Sequence, residues 1–259
     1  MPFVETRSFR CHYRVDGPEA APAIVLCNSL GATLAMWDAQ LPVLVDRFRV
    51  IRYDARGHGQ SSAPPGSYTI AELASDALAL LDALEIPRAS FCGLSIGGMV
   101  GQWLGAHASS RFDRLVLCAT TARIGTRELW NQRIQQVQAG GLESLLPATL
   151  ERWFTPSFRA QQPEVLERVR SAFLSTTEVG YIGGCTAIRD ADLRDDLQAI
   201  QLPVLIFGGA SDPTATPESV QFLADRIEGS RSVQLSAAHL CNLEAAEHFN
   251  RELLGFLQA

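Results

Sequence analysis

Long apolar runs are missing from this 259-residue chain: stretches such as AIVLCNSL and PVLIFGG stop at seven or eight residues, well short of the roughly 20 that a membrane-spanning helix needs. The N-terminal MPFVETRSFRCHYRV has no positive flank leading into an apolar core, so no secretory signal is expected and a cytoplasmic location is. Clustered basic charge is also missing. Arginine and lysine total 22 against 28 carboxylates, for a net charge of −6, and their scatter argues against a nucleic-acid partner. The six cysteines (Cys11, Cys27, Cys92, Cys118, Cys185, Cys241) show no CxxC or other metal-type spacing. Several lie within strand-like runs and are expected as buried free thiols, without a structural disulfide, in a reducing compartment. Internal repeats and low-complexity segments are absent.

With 47% hydrophobic and 19% charged residues, the composition is that of an ordinary globular protein, and the length suits one large domain with an insertion. The short continuous runs AIVLCNS (23–29), FRVIRYD (48–54), ASFCGLS (89–95), RLVLCAT (114–120) and PVLIFGG (203–209) read as strands covered on both faces. SFRCHYRVDG (8–17) alternates and closes on an Asp-Gly turn, and RSVQLSA (231–237) supplies a last strand. Between them stand helical patterns: 36–46, with Pro42 placed near a helix start; the segment after Tyr68, where Leu73, Ala77, Leu80, Leu81 and Leu84 recur; 96–108; 217–227; and 243–257. The alternation predicts an α/β fold, a mostly parallel twisted sheet with helices on both faces.

Residues 121–195 break that rhythm. They hold helical patterns around 128–138, 142–153 and 163–174, punctuated by Gly140-Gly141, Pro147, Pro156 and Gly183-Gly184. A structureless loop of that length is implausible, so the segment is expected to be a helical cap, or lid, inserted into a core made of 1–120 and 196–259. Placed over the carboxyl ends of parallel strands, it would lie where ligands bind in open sheets.

Gly93-Leu94-Ser95-Ile96-Gly97 fits G-x-S-x-G, with a strand before it and a helix after it. A sharp strand-to-helix turn displays the serine, and side chains in place of the two glycines would clash; the bland alternative is a serine that only caps the helix. A serine nucleophile needs a base held by an acid. Of five histidines, His239 directly follows a strand, in Ala238-His239-Leu240; His12, His107 and His248 read as surface or capping residues, and His58 belongs to the RGHGQSS turn. Asp212, in GGASDPTATP after the strand 203–209, is the candidate acid, and its rival Asp54 reads as a structural residue tying Arg56 and His58 into a turn. The order Ser95, Asp212, His239 is the order this type of hydrolase requires. The loop Asn28-Ser29-Leu30-Gly31 is expected to supply one oxyanion donor, the Leu30 N–H, beside that of Ile96. A merely polar turn is the alternative.

The segments NSLG (28–31), YDARGHGQS (53–61), GLSIGG (93–98), GGASDPTATP (208–217) and AAHLCNLE (237–244) together resemble the α/β-hydrolase superfamily over essentially the whole chain. NSLG itself, LCATTARIG (117–125) and RWF with the following Thr-Pro (152–156) resemble, more narrowly, the 3-oxoadipate enol-lactonases of the β-ketoadipate pathway. The resemblance implies hydrolysis of a five-membered enol-lactone with an acetate arm to 3-oxoadipate, with no metal or organic cofactor. Such a substrate calls for a cation in a partly dry pocket, and arginine suits a carboxylate by its fork geometry. Arg123 and Arg133 are candidates for it, and Trp130 and Trp153 for a flat wall against the ring; a solvated lid face and lid packing are the alternatives. A carboxylesterase or carbon–carbon bond hydrolase of the same fold, and a ligand sensor with an idle triad, remain open at this point. A dehalogenase is disfavoured, because its chemistry uses a carboxylate nucleophile where this chain has Ser95.

Overall fold

The computed structural model describes residues 2–6 and 9–259. Eight strands form one sheet: β1 (Phe3–Glu5), β2 (Arg10–Asp16), β3 (Ala23–Cys27), β4 (Arg49–Tyr53), β5 (Ala89–Leu94), β6 (Phe112–Cys118), β7 (Val204–Gly209) and β8 (Arg231–Leu235). Their order is β1-β2-β4-β3-β5-β6-β7-β8; β1 and β2 pair antiparallel at one edge, and every pair from β4–β3 to β7–β8 is parallel. All six residues of β5 and of β7 are buried, which is why these runs are continuously apolar and do not alternate. The three-residue β1 was not foreseen in the sequence.

Helices α1 (Leu41–Leu44), α2 (Ile70–Ala83) and α3 (Ile96–His107) lie in the first half. The helix expected over 36–46 is instead a 3-10 turn, Leu34–Gln40, running into α1, because Pro42 sits in the first turn of α1 and cannot continue an α-helix from before. A complete capping box, Thr69 with Glu72, starts α2. Between β6 and β7 come α4 (Arg127–Gly140), α5 (Leu146–Trp153), α6 (Pro156–Gln161), α7 (Pro163–Leu174) and α8 (Glu178–Asp190). The sequence pattern held no sign of α6, and it treated Gly183-Gly184 as a break where α8 runs straight through. These two glycines are there for contact: a Cβ on Gly183 would stand 2.4 Å from the Tyr68 ring, and one on Gly184 2.4 Å from Leu30.

The chain ends with α9 (Pro217–Arg226), α10 (Cys241–Glu244) and α11 (Ala246–Gln258). Successive residues of β7 show that both faces of the sheet are covered. Phe207 stacks on Phe249 of α11 at 4.3 Å, while Gly208 packs against Val220 of α9. All six cysteines are buried and free; Cys92 and Cys118, on neighbouring strands, bring their sulfurs to 3.8 Å. Among the described residues no helix is long and apolar enough to cross a membrane.

Candidate active site

Ser95 stands at the turn from β5 into α3 with φ +60° and ψ −115°, a conformation that L residues rarely adopt. The turn closes tightly: a Cβ on Gly93 would lie 2.1 Å from the Gly97 carbonyl oxygen, and one on Gly97 2.5 Å from that of Cys27. The Ser95 N–H donates to the Cys118 carbonyl of the next strand at 2.9 Å, and Thr120 Oγ1 donates to the Ser95 carbonyl at 2.8 Å. Its backbone is thus tied on both sides, while its hydroxyl has no hydrogen bond among the described residues and borders a cavity.

Asp212 and His239 lie 27 residues apart, and the parallel pair β7–β8 brings them together. The Ala210 N–H donates to Leu235 and the Ser211 N–H to Ala237, zipping the two loops beyond the strand ends. Asp212 Oδ2 lies 2.7 Å from His239 Nδ1, and Asp212 Oδ1 accepts from the Thr214 N–H at 2.7 Å. Both groups are buried. An ionised carboxylate only accepts, so Nδ1 carries the proton and Nε2 is left as the basic nitrogen. His239 borders the same cavity as Ser95. Its loop is anchored by Glu244, whose carboxylate accepts from the Ala238 N–H at 2.9 Å and from the N–H and hydroxyl of Thr155, between α5 and α6.

Leu30 follows β3 and borders the cavity too. The next residue, Gly31, has φ +80°, and a Cβ there would lie 2.7 Å from the Phe173 ring, so the loop needs glycine on both counts. The Gly31 N–H donates to His58 Nε2 at 2.9 Å, and His58 Nδ1 in turn lies 2.8 Å from the Arg56 carbonyl. Burial holds the His58 pKa below its usual value, against the opposing pull of that carbonyl and of Asp54. The neutral ring therefore donates through Nδ1 and accepts through Nε2, which fixes the loop that carries the Leu30 N–H. Neither the Leu30 N–H nor the Ile96 N–H has a partner among the described residues. The RGHGQSS turn is not, as its sequence suggests, held together by Asp54 tying Arg56 and His58. Asp54 ties His12 Nδ1, Leu34 N–H and Gln60 N–H, while Arg56 pairs with Asp76 and His58 reaches Gly31. His12, expected at the surface, is buried against Asp54.

The opposite wall comes from the helices between β6 and β7. Trp130, Arg133, Arg152 and Trp153 all border the cavity. Trp130 is buried, donates through Nε1 to the Ile124 carbonyl at 2.6 Å, and carries the Arg133 guanidinium 5.0 Å from its ring centre. Arg123 is not brought in: half exposed, it faces Asp192 at 3.7 Å and borders a different depression. It lies just before α4, which carries Trp130 and Arg133 away from it. Arg152, which the sequence reading missed as a cation, takes its place beside Arg133. Burial, and then repulsion by Arg133, pulls its pKa down to about 10, so it is still charged at neutral pH. Its Nη2 donates to Thr149 Oγ1 at 2.9 Å. Neither Arg133 nor Arg152 has a carboxylate within 4.0 Å among the described residues. Little in the sequence points to this, since Arg152 follows Glu151 directly and reads like one half of a surface ion pair.

The cavity thus joins an unbonded serine hydroxyl, an acid-held imidazole, the loop that carries the Leu30 N–H and two guanidiniums without a carboxylate partner, and the Ile96 N–H directly follows Ser95 in the chain. That set can carry out acyl transfer on a small anionic ester. The alpha/beta hydrolase fold family matches residues 22–246 of the chain. 3-Oxoadipate enol-lactonase 2 of Acinetobacter baylyi is 41% identical over 92% of this chain and 90% of its own length, and enol-lactonase 1 of the same organism is 37% identical over 95% and 92%. The crystal structure of the enol-lactonase from Burkholderia xenovorans LB400 superposes with a TM-score of 0.98 at 44% identity, covering all of both chains. The chain belongs to the α/β-hydrolase family, in the company of the 3-oxoadipate enol-lactonases.

Proposed function

We propose that this protein is a serine hydrolase that opens the ring of 3-oxoadipate enol-lactone to 3-oxoadipate through an acyl-enzyme, as a step in the breakdown of aromatic compounds. Its relatives' named activity supports the reaction. The observation that carries the substrate is the pair Arg133 and Arg152, enclosed without an acid beside Ser95 and His239. Two partly buried cations lining one cavity repel each other unless an anion visits them, and the free carboxylate of the lactone is such an anion.

In this reading Ser95 Oγ attacks the lactone carbonyl as His239 Nε2 takes its proton, and Asp212 stabilises the imidazolium. The Leu30 and Ile96 N–H groups receive the oxyanion. Collapse breaks the ring C–O bond, and the enol oxygen leaves with the proton held on His239, then relaxes to the ketone. Water, deprotonated by the same imidazole, attacks the acyl-enzyme and releases the acid. Every proton in this scheme passes between substrate, water and the chain's own groups, so it calls for no cofactor. His58 and Glu244 are positioning residues, the first for the oxyanion loop and the second for the histidine loop. The cavity measures about 30 Å³, far below the roughly 300 Å³ at which ligand pockets begin. Binding therefore requires side chains of the 121–195 segment to draw back, and the segment acts as a lid.

Arg133→Ala and Arg152→Ala are each expected to raise KM for the lactone about 10- to 100-fold, the worth of one charge-assisted hydrogen bond, with KM for a neutral p-nitrophenyl ester changed less than threefold. Steady-state kinetics on both substrates reads the split. An equal rise on both would remove the carboxylate role.

A further inference from the structure

A second, larger hollow of about 360 Å³ shares Trp153 with the Ser95 cavity, while Ser95 itself borders only the smaller one. Among the described residues Trp153 is the one residue common to both linings. The hollow is flanked by residues next to the proposed machinery: Leu240 follows His239, and Ala32 comes two residues after Leu30. Its other walls are largely apolar, from Met36, Val165 and Val169, with Asp38 and Arg168 also at its border.

Trp153 is held firmly in the gap. Its carbonyl accepts from the Leu240 N–H at 3.0 Å, its ring meets Phe173 edge to face at 5.8 Å and 84°, and Phe173 in turn meets Tyr181 at 5.6 Å and 78°. Phe173 also rests on Gly31. Trp153 is 5% exposed, and a ring held by its edge-to-face partner Phe173 resists an aliphatic chain pressing from the serine side.

Building on the serine-hydrolase reading, the geometry points to Trp153 as a specificity-determining partition: it confines the acyl group to the small cavity, and the hollow behind it is a latent subsite for an unbranched aliphatic acyl chain. Acyl length in this enzyme is limited by one side chain and not by the shape of the whole pocket. A chain passing the position of Trp153 meets apolar walls at once, so the energy of each added methylene becomes available only when the indole is removed.

The test is the kcat/KM series for p-nitrophenyl acetate, butanoate, hexanoate and octanoate with wild type, Trp153→Ala and Trp153→Leu, the last keeping apolar packing should the alanine variant melt early. Wild type is expected to lose activity steeply beyond butanoate. Both variants are expected to raise the octanoate-to-acetate ratio at least tenfold, and Val169→Trp added to either should return the ratio to the wild-type value by refilling the hollow. A ratio within threefold of wild type in both variants, or a gain that survives Val169→Trp, would overturn the partition. Lactone turnover measured alongside separates the two proposals. Failure on the lactone with a shifted ester ratio leaves the partition standing and removes the lactonase reading; a normal lactone rate with an unshifted ratio does the reverse.

Discussion

Ser95→Ala is expected to lower kcat on the order of 10⁴- to 10⁶-fold while the protein melts within about 2 °C of wild type. The size follows from what remains after the nucleophile is lost: in serine hydrolases that act as a unit, the oxyanion donors and substrate binding retain only a small part of the acceleration. The thermal outcome follows from the structure. The Ser95 hydroxyl makes no hydrogen bond among the described residues, the backbone bonds to Cys118 and Thr120 are independent of the side chain, and alanine bears the same φ of +60° at similar cost. Initial-rate assays on the lactone and on p-nitrophenyl acetate, with a melt on the same preparation, read both. Turnover within tenfold of wild type would mean that Ser95 only shapes the turn.

Asp212→Asn is expected to cost about 10⁴-fold in kcat, the scale seen when the acid of such a triad is replaced isosterically, with KM little changed. The orientation of the new amide is forced. Thr214 N–H requires an acceptor at the position of Oδ1, where it now donates at 2.7 Å, so the amide oxygen must point there. The NH₂ then faces His239 Nδ1, which has to accept, and the ring proton moves to Nε2. The histidine loop stays in place, since its bonds from Ser211, Leu240 and Ala238 do not pass through Asp212. An imidazole protonated at Nε2 cannot take the proton of Ser95. Kinetics with a matched near-ultraviolet dichroism spectrum is the check, and a loss of less than tenfold would detach Asp212 from the chemistry.

What could be read from the sequence, and what could not, divides along local and non-local lines. The buried strands announce themselves as short apolar runs, Ser95 and Asp212 each stand just past one of them, and His239 stands past the more exposed edge strand β8, so the topology that unites them follows from parallel pairing. Gly31 signalled its loop because only glycine takes that φ next to Phe173. The helix α8 stayed hidden because its glycine pair is explained by Tyr68 and Leu30, more than a hundred residues away. Arg123 looked as good as Arg133 in the sequence, since only the start of α4 decides which of them turns into the cavity. Nothing local marks Arg152 as a cavity cation, because a partly buried arginine without a carboxylate partner looks the same in sequence as a solvated one. His12, Leu34 and Gly31, which bind Asp54 and His58, lie 20 to 42 residues from them in the chain, and a turn motif alone does not reveal them.

Whether a small carboxylated enol-lactone is the substrate is decided by steady-state hydrolysis of 3-oxoadipate enol-lactone by the wild-type protein, followed by loss of its ultraviolet absorbance, with p-nitrophenyl acetate assayed in parallel. A kcat/KM of at least about 10⁴ M⁻¹s⁻¹ is expected for the lactone, at the low end of established enzymes, and a value at least about a hundredfold lower for the neutral ester. An untouched lactone beside brisk ester turnover would contradict the lactonase reading, and would leave an esterase whose two cavity arginines serve another anion.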